Sequence, residues 1–379
     1  MTLSCKWWFI DMRVPFLDLK SQVAPIRSQI DKAIRNAIDA SDFVLGSRLE
    51  SFEADFAEYC GCKFAVGVNS GTDALYLALR ALDIGAEDEV ITPPNVFIAA
   101  AEAIVRTGAT LVLADVSEDT FCIDPESIAR VMTKRTKAII PVHLFGQPCD
   151  MDSILELARA HDVDVCEDAC QAHGAEYKGK KLGSLGTVGA FSFYPTKNLG
   201  GFGDGGAVTT NNEQIAARIR MLRHHAQSDK NKHDAIGYNS RLDSLQASVL
   251  SVKLPCLDQW NARRRELARR IQSQVVTSEY DFQEVPPGTT PVYHILAVRH
   301  AHRQLVHAQL DQSGIGWGKH INVPIHFQPG YRFLGYKKGA FPVSERLCEE
   351  LVSLPIYPTL TNADADYIAQ ALGKVVVSV

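Results

Sequence analysis

Phe191-Ser192-Phe193-Tyr194-Pro195-Thr196-Lys197-Asn198-Leu199-Gly200-Gly201-Phe202-Gly203-Asp204-Gly205-Gly206 decides how this 379-residue chain is read. Residues 188–194 are apolar, aromatic and few, which predicts a buried strand. Pro195 ends it, because proline offers no N–H to a ladder. Lys197 then stands in a loop, and five glycines follow at 200, 201, 203, 205 and 206. Glycine lets a backbone approach a ligand closely. A single lysine at the exit of a buried strand, among glycines, has little structural reason to be there. It suits a covalent amine.

On the N-terminal side, the pattern alternates. Strands are expected at 64–69, 89–92, 110–114, 138–143 and 163–167, and helices at 95–106, 125–132 and 151–160. A strand at 207–210 and a helix at 213–222 follow. Short apolar strands alternating with helices predict an α/β fold with a mostly parallel sheet covered on both faces. Ligands gather at the carboxyl ends of such strands. Asp115, His143, Asp168 and Lys197 all fall there and could converge. The first strand runs into Ser70-Gly71-Thr72-Asp73, which has the spacing of a capping box. A helix start of this kind leaves N–H groups unpaired and binds phosphate well. An ordinary capped helix has the same signature.

Composition narrows the class. With 46% hydrophobic and 22% charged residues the chain reads as a soluble globular protein. A net charge of −5 without a basic block argues against a nucleic-acid surface. No apolar run reaches the roughly 18–20 residues of a membrane span. Cys60/Cys62 and Cys166/Cys170 lack zinc-site spacing, so no metal is expected and the thiols read as reduced and cytoplasmic. The length suits two domains: a large one at 13–254 and a smaller α+β one at 255–379. Residues 1–12 read as a tail ahead of a start near Met12, or as an arm contacting a second copy. Residues 224–239 are polar and read as a mobile loop, and 242–260 as one long helix. The cluster Asn261-Ala262-Arg263-Arg264-Arg265 reads as a solvated helix face.

Four pieces then stand together: the helix start at Gly71-Thr72, the carboxylate Asp168, the lysine Lys197 after Ser192, and the aromatic Phe97. Pyridoxal 5'-phosphate asks for this set. Its aldehyde takes a lysine, its ring nitrogen a buried carboxylate, its phosphate N–H and hydroxyl donors, and its ring face an aromatic partner.

The segments Asn69-Ser70-Gly71-Thr72-Asp73-Ala74-Leu75, Glu167-Asp168-Ala169-Cys170-Gln171-Ala172-His173-Gly174-Ala175, Ser192 to Gly200 and Asn239-Ser240-Arg241-Leu242-Asp243 resemble the signatures of the DegT/DnrJ/StrS sugar aminotransferases. The resemblance runs from Val14 to about Leu372. It implies the type I fold of the aspartate aminotransferase superfamily, with a seven-stranded sheet. It also implies a homodimer with shared active sites. Lys197 would bind the cofactor and move the proton, Asp168 pair the ring nitrogen, and Gln171 lie near the phenolic oxygen. Gly71, Thr72 and Ser192 would hold the phosphate, with Asn239 of a second copy, and Phe97 would stack on the ring. Lys197, where a dehydratase branch carries histidine, favours transamination.

Pro15-Phe16-Leu17-Asp18-Leu19 and His143-Leu144-Phe145-Gly146-Gln147-Pro148 resemble the branch that aminates C3 of nucleotide-linked 3-keto-6-deoxyhexoses, with glutamate as donor. A C4-keto-sugar or cyclitol aminotransferase, a sugar dehydratase and a non-catalytic regulatory relative are the alternatives. That branch carries His-Tyr-Pro where this chain has His320-Ile321-Asn322, a departure that bears on the sugar. His320, His326 and Tyr194 are the substrate-side candidates. Both histidines fit packing roles equally well, as do His143 and His173.

Overall fold

The structure, a computed structural model, describes residues 12–275 and 279–375. The tail or arm expected at the N-terminus lies, but for Met12, outside the described residues. The central sheet has seven strands: β1 (Phe64–Val68), β2 (Glu89–Thr92), β3 (Thr110–Leu113), β4 (Thr136–Ile139), β5 (Asp164–Asp168), β6 (Val188–Ser192) and β7 (Gly206–Thr210). Their order is β1-β7-β6-β5-β4-β2-β3. From β6 to β3 every pairing is parallel, and β7 runs antiparallel to both β6 and β1. This is the mostly parallel sheet that the strand–helix alternation predicts. Each position of β2 is buried, as a strand covered on both faces requires.

The antiparallel return from β6 to β7 matters most. Ser192 and Gly206 are paired rungs of one ladder, so residues 193–205 leave the sheet and come back to the same place. Phe193 N–H donates to Gly205 C=O at 2.7 Å, closing the loop at its base. Lys197 sits in that excursion.

Seven helices carry the rest of the account: α1 (Ser47–Cys60), α2 (Gly71–Ala81), α3 (Ala99–Thr107), α4 (Ser244–Lys253), α5 (Leu257–Gln272), α6 (Pro342–Glu350) and α7 (Asn362–Leu372). The expected helix at 95–106 starts only at Ala99. Asn95, buried, instead donates its Nδ2 to Phe121 C=O at 3.3 Å and pins the preceding loop. The single helix expected at 242–260 is broken by a 3₁₀ turn at Leu254–Cys256, where Pro255 removes a backbone donor. Residues 224–239 are a hairpin rather than a plain loop. Gln227–Asp229 pairs with Lys232–His233, above a bridge between His224 and Asn239.

The basic cluster is not a solvated face throughout. Arg264 is 2% exposed and donates to the carbonyls of Tyr293 (3.2 Å) and Ile356 (2.6 Å), and burial lowers its pKa to about 10. Asn261 beside it is also buried. Asp115, placed at a strand end by the sequence, caps a distant helix. Its carboxylate accepts from the N–H groups of Val343 (3.1 Å) and Ser344 (3.0 Å) at the start of α6.

A second, antiparallel sheet has the order β8 (Asp281–Phe282), β9 (Leu296–Arg299), β10 (Leu351–Leu354). The apolar interior falls into two main clusters. The larger surrounds the central sheet, and the second joins α5, β9, β10 and α7. Val14, from the start of the chain, belongs to the second. It bridges Ile315 in parallel: Val14 N–H donates to Gly314 C=O at 3.2 Å, and Gly316 N–H to Val14 C=O at 2.8 Å. Leu347 and Leu351 pack instead with the first cluster, so packing does not follow the 254/255 division residue by residue.

Candidate active site

At the end of β1 the chain turns into α2. Ser70 is its N-cap and Oγ accepts from Asp73 N–H at 3.1 Å. Gly71 follows, packed so closely that a Cβ there would lie 2.6 Å from Ser192 Cβ and 2.8 Å from Cys170 Sγ. The bare backbone at the helix start therefore lies directly against the end of β6. Gly206 repeats the device, since a Cβ there would meet Ser70 C=O at 2.4 Å. Gly71 and Ser192 thus meet at a helix N-terminus, with Thr72 next in its first turn, a setting that suits a phosphate.

Asp168 ends β5 and is 8% exposed. Its Oδ1 accepts from Cys170 N–H at 3.1 Å. Burial raises its pKa, opposed by the bonds from Cys170 and by the charge of Lys197. Packing around the Lys197 amine has the opposite consequence: burial lowers that pKa, opposed by Cys170 and Asp168. Among the described residues no ion pair involves Lys197. A buried carboxylate and an amine biased towards its neutral form thus share one site, and they fit the ring nitrogen and aldehyde of pyridoxal phosphate.

The loop that carries Lys197 is held from several sides. Lys197 N–H donates to Tyr194 C=O at 2.8 Å. Asn198 donates Nδ2 to Asn261 Oδ1 (2.8 Å) and Val292 C=O (3.0 Å). From α4, Gln246 Oε1 accepts from Phe202 N–H at 2.7 Å, and Lys253 donates Nζ to Gly200 C=O.

Three histidines feel the charge of Lys197: His173, His294 and His320. His173 is enclosed between Phe191 and Phe193, at 5.4 and 5.9 Å between ring centroids. Burial, then Lys197, lowers its pKa to about 3. His294 meets Asn198 Oδ1 through Nδ1 at 3.3 Å and is lowered by the same two causes. His320 meets Ser353 Oγ through Nδ1 at 2.8 Å, and burial, then Lys197, takes it to about 4. All three imidazoles are neutral near pH 7. A cavity of about 620 Å³ opens beside Thr196, lined by His294, His320, Phe16, Trp317 and Lys319 among others. His294 was not singled out by the sequence. Its signal was a histidine inside the otherwise apolar stretch 292–298.

Two of these positions have strained neighbours. Tyr293 (φ 44°) and Ile321 (φ 59°) occupy the left-handed region, unfavourable for a β-branched residue such as Ile321. Each adjoins a pocket histidine.

Other sequence candidates lie elsewhere or are differently engaged. His326 does not line the cavity. It meets Glu345 Oε1 at 3.2 Å and packs against Phe327 and Phe341, which is a structural role. His143 is fully buried, accepts from Cys149 N–H at Nδ1 (3.1 Å) and so gives its Nε2–H to Glu167 (3.2 Å). Gln171 Oε1 accepts from Phe145 N–H at 2.7 Å. Tyr194 is half exposed. Phe97 is 67% exposed and lines a second cavity of about 380 Å³ with Ile321, Asn322 and Tyr331. Asn239 is exposed between two anchored neighbours. Tyr238 Oη meets Tyr76 Oη at 2.7 Å, and Ser240 Oγ donates to Asn69 Oδ1 at 3.2 Å. No hydrogen bond or ring contact among the described residues links Phe97 or Asn239 to Lys197.

The sequence model of the DegT/DnrJ/EryC1/StrS aminotransferase family matches residues 25–373. The chain belongs to this family. Like other DegT/DnrJ/EryC1/StrS aminotransferases it is a pyridoxal phosphate-dependent transaminase, and its fold is theirs. It is 45% identical over 361 residues to the dTDP-3-amino-3,4,6-trideoxy-alpha-D-glucose transaminase of Streptomyces venezuelae, covering 95% of each chain. It is 40% identical over 366 residues to a pleiotropic regulatory protein of Geobacillus stearothermophilus, covering 96% of this chain and 98% of that one. Among solved structures it is similar to S. venezuelae DesV in complex with a ketimine intermediate. The TM-score there is 0.93 at 45% identity, over 95% of this chain and 98% of the other. No helix among the described residues is long and apolar enough to cross a membrane.

Proposed function

We propose that this transaminase moves an amino group from glutamate to a keto group, at C3, of a nucleotide-linked keto-6-deoxyhexose. One observation carries the reading. Lys197, its amine biased towards the neutral form, shares a buried site with Asp168, and its chain neighbour Thr196 lines a cavity that also holds His294 and His320. The sugar class is supported by the Streptomyces relative, whose name gives a dTDP-3-amino sugar.

Gly71, Thr72 and Ser192 would hold the phosphate of the cofactor, Asp168 its ring nitrogen, Gln171 its phenolic oxygen side and Phe97 its ring face. Asn239 from a second copy would complete the phosphate cup in a homodimer. That Asn239 is exposed, on a segment anchored at both sides, supports this. When bound, pyridoxal phosphate supplies an electron sink for the pair left behind as a proton leaves the reacting carbon. Lys197 takes that proton at Nζ and returns it, which requires the neutral amine that burial favours. Asp168 must be anionic to pair a protonated ring nitrogen. Burial works against this and the bonds from Cys170 work for it, and a protonated ring nitrogen would favour the anion further. The hairpin at 227–233 is available to the larger substrate. The compartment we infer is the cytoplasm, supported by eight free cysteines among the described residues.

Lys197→Ala should lose both the visible absorbance of bound pyridoxal phosphate linked to lysine and all turnover; a variant that keeps both overturns the central assignment. A screen of nucleotide-linked keto-sugars with glutamate, reading the aminated carbon by NMR, tests the substrate class. The regulatory name of the Geobacillus relative does not displace the catalytic reading here, because Lys197 and Asp168 are both present and each lies within the other's electrostatic reach. Steady product formation separates the two.

A further inference from the structure

His320 is held by three elements from distant parts of the chain. The ring of Phe16 stacks on it at 5.5 Å between centroids and 24° between planes. Ser353, on β10 and 2% exposed, takes Nδ1. Gly318 bridges Ser353, with N–H to C=O bonds of 3.0 Å in both directions. A Cβ on Gly318 would lie 2.9 Å from His320 Cε1. Phe16 itself is fixed by the Val14–Ile315 bridge, and a Cβ on Gly316 would come within 2.5 Å of its backbone N. Stacking and the Ser353 bond thus commit one face and one nitrogen, leaving Nε2 for a ligand. The cavity wall beside it is mainly apolar, with two aromatic rings and, among the described residues, Lys319 as its one Lys or Arg. Glutamate would ask for cations for two carboxylates. A sugar asks for a hydroxyl partner and a flat apolar wall.

We propose that Phe16 is a positioning residue for the sugar: through its stack on His320, with Ser353 on Nδ1, it presents the neutral imidazole's Nε2 to a hydroxyl of the keto-sugar, and so favours the sugar over the amino-acid donor. This rests on the sugar transaminase reading above. The charged and titratable groups that face His320 are Lys197 and His294, with Lys319 adjacent in the chain.

The test uses the pyridoxamine-loaded enzyme, on which an amino sugar binds without reacting. Calorimetry gives the Kd of dTDP-3-amino-3,4,6-trideoxyglucose as a function of pH. Phe16→Leu should weaken binding about tenfold, and Phe16→Tyr, which keeps the flat ring, should restore it. Binding to the parent should fail only as pH drops through about 4. In Phe16→Leu water reaches the imidazole, and the failure should move up towards the ordinary histidine range near 6.5. Adding Phe16→Leu to His320→Gln should cost nothing further. Ser353→Ala is an independent second variant and should move the same limb. Unchanged Kd and pH limb in Phe16→Leu, or additive losses in the double variant, overturn the proposal. Equal damage to the glutamate half-reaction, followed by absorbance, also overturns it. If the parent itself shows no glutamate half-reaction, it is the transaminase reading that fails.

Discussion

Gly71 shows how much chemistry one missing side chain can hold. A methyl there would press on Ser192 and Cys170 at 2.6 and 2.8 Å, inside the cradle proposed for the phosphate. Overpacking at such a point costs about 1–3 kcal/mol, and the movable neighbour is the residue proposed to hold the phosphate. Gly71→Ala should therefore weaken pyridoxal phosphate binding by at least about tenfold, measured by equilibrium titration of the cofactor-free protein. Ser192→Gly on the same background removes the clashing Cβ and should not recover the loss, because the hydroxyl is gone as well. At this scale the sequence was legible where residue type and position both spoke. Lys197 stood in a loop after a buried strand and had few structural roles to compete for it, whereas Asp168 at a strand end could equally have been a cap. His294 did not stand out, because a histidine in an apolar stretch is usually a satisfied core residue. Only the fold shows that Asn198 and the amine of Lys197 lie beside it. His326 and Arg264 misled for the converse reason. Their buried partners, Glu345 and the carbonyls of Tyr293 and Ile356, are remote in sequence.

Between β6 and β7 the glycine-rich excursion rests on α4, and its support includes a cation without a carboxylate. Lys253 is 3% exposed, donates to Gly200 C=O and lies 5.5 Å from the ring of Phe202. Burial alone lowers its pKa to about 8 from 10.5. Between those two values the unfolded chain holds more protons than the folded one at this group, so its contribution to stability rises with pH across that window. Urea denaturation at pH 7.5 and pH 10 should show this rise in the parent and a smaller one in Lys253→Met. Identical pH dependence in both would show that the lysine is not desolvated as packed. Element types were mostly readable, since strand runs and helix periodicity are local. Boundaries were not. The expected start of α3 at Asn95 failed because that amide is spent on Phe121 C=O. The break at Pro255 could have been read from the proline alone.

Across the whole molecule, elements far apart in the chain are tied by single side chains. Asp115 leaves the end of β3 and caps α6, 229 residues further on. Losing such a cap costs about 0.5–2 kcal/mol. Asp115→Ala should lower the urea midpoint accordingly, and Asp115→Asn, which still accepts hydrogen bonds, should recover much of it. A midpoint unmoved by Asp115→Ala would mean that α6 is held by packing alone. None of this was open to a sequence reading, because a carboxylate at a strand end has many uses and its partner is chosen by tertiary packing.

Val14 has a consequence in time. It is buried in the cluster completed by α7, whose residues Ile368 and Leu372 are among the last described. One cluster is thus closed by residues as far apart in the chain as Val14 and Leu372. The central sheet can form while synthesis continues, but contacts of this separation are slow to close. Phe16, two residues beyond Val14, reaches its place on His320 only when the small cluster has closed. The cavity wall at Phe16 is therefore expected to be completed after the central sheet.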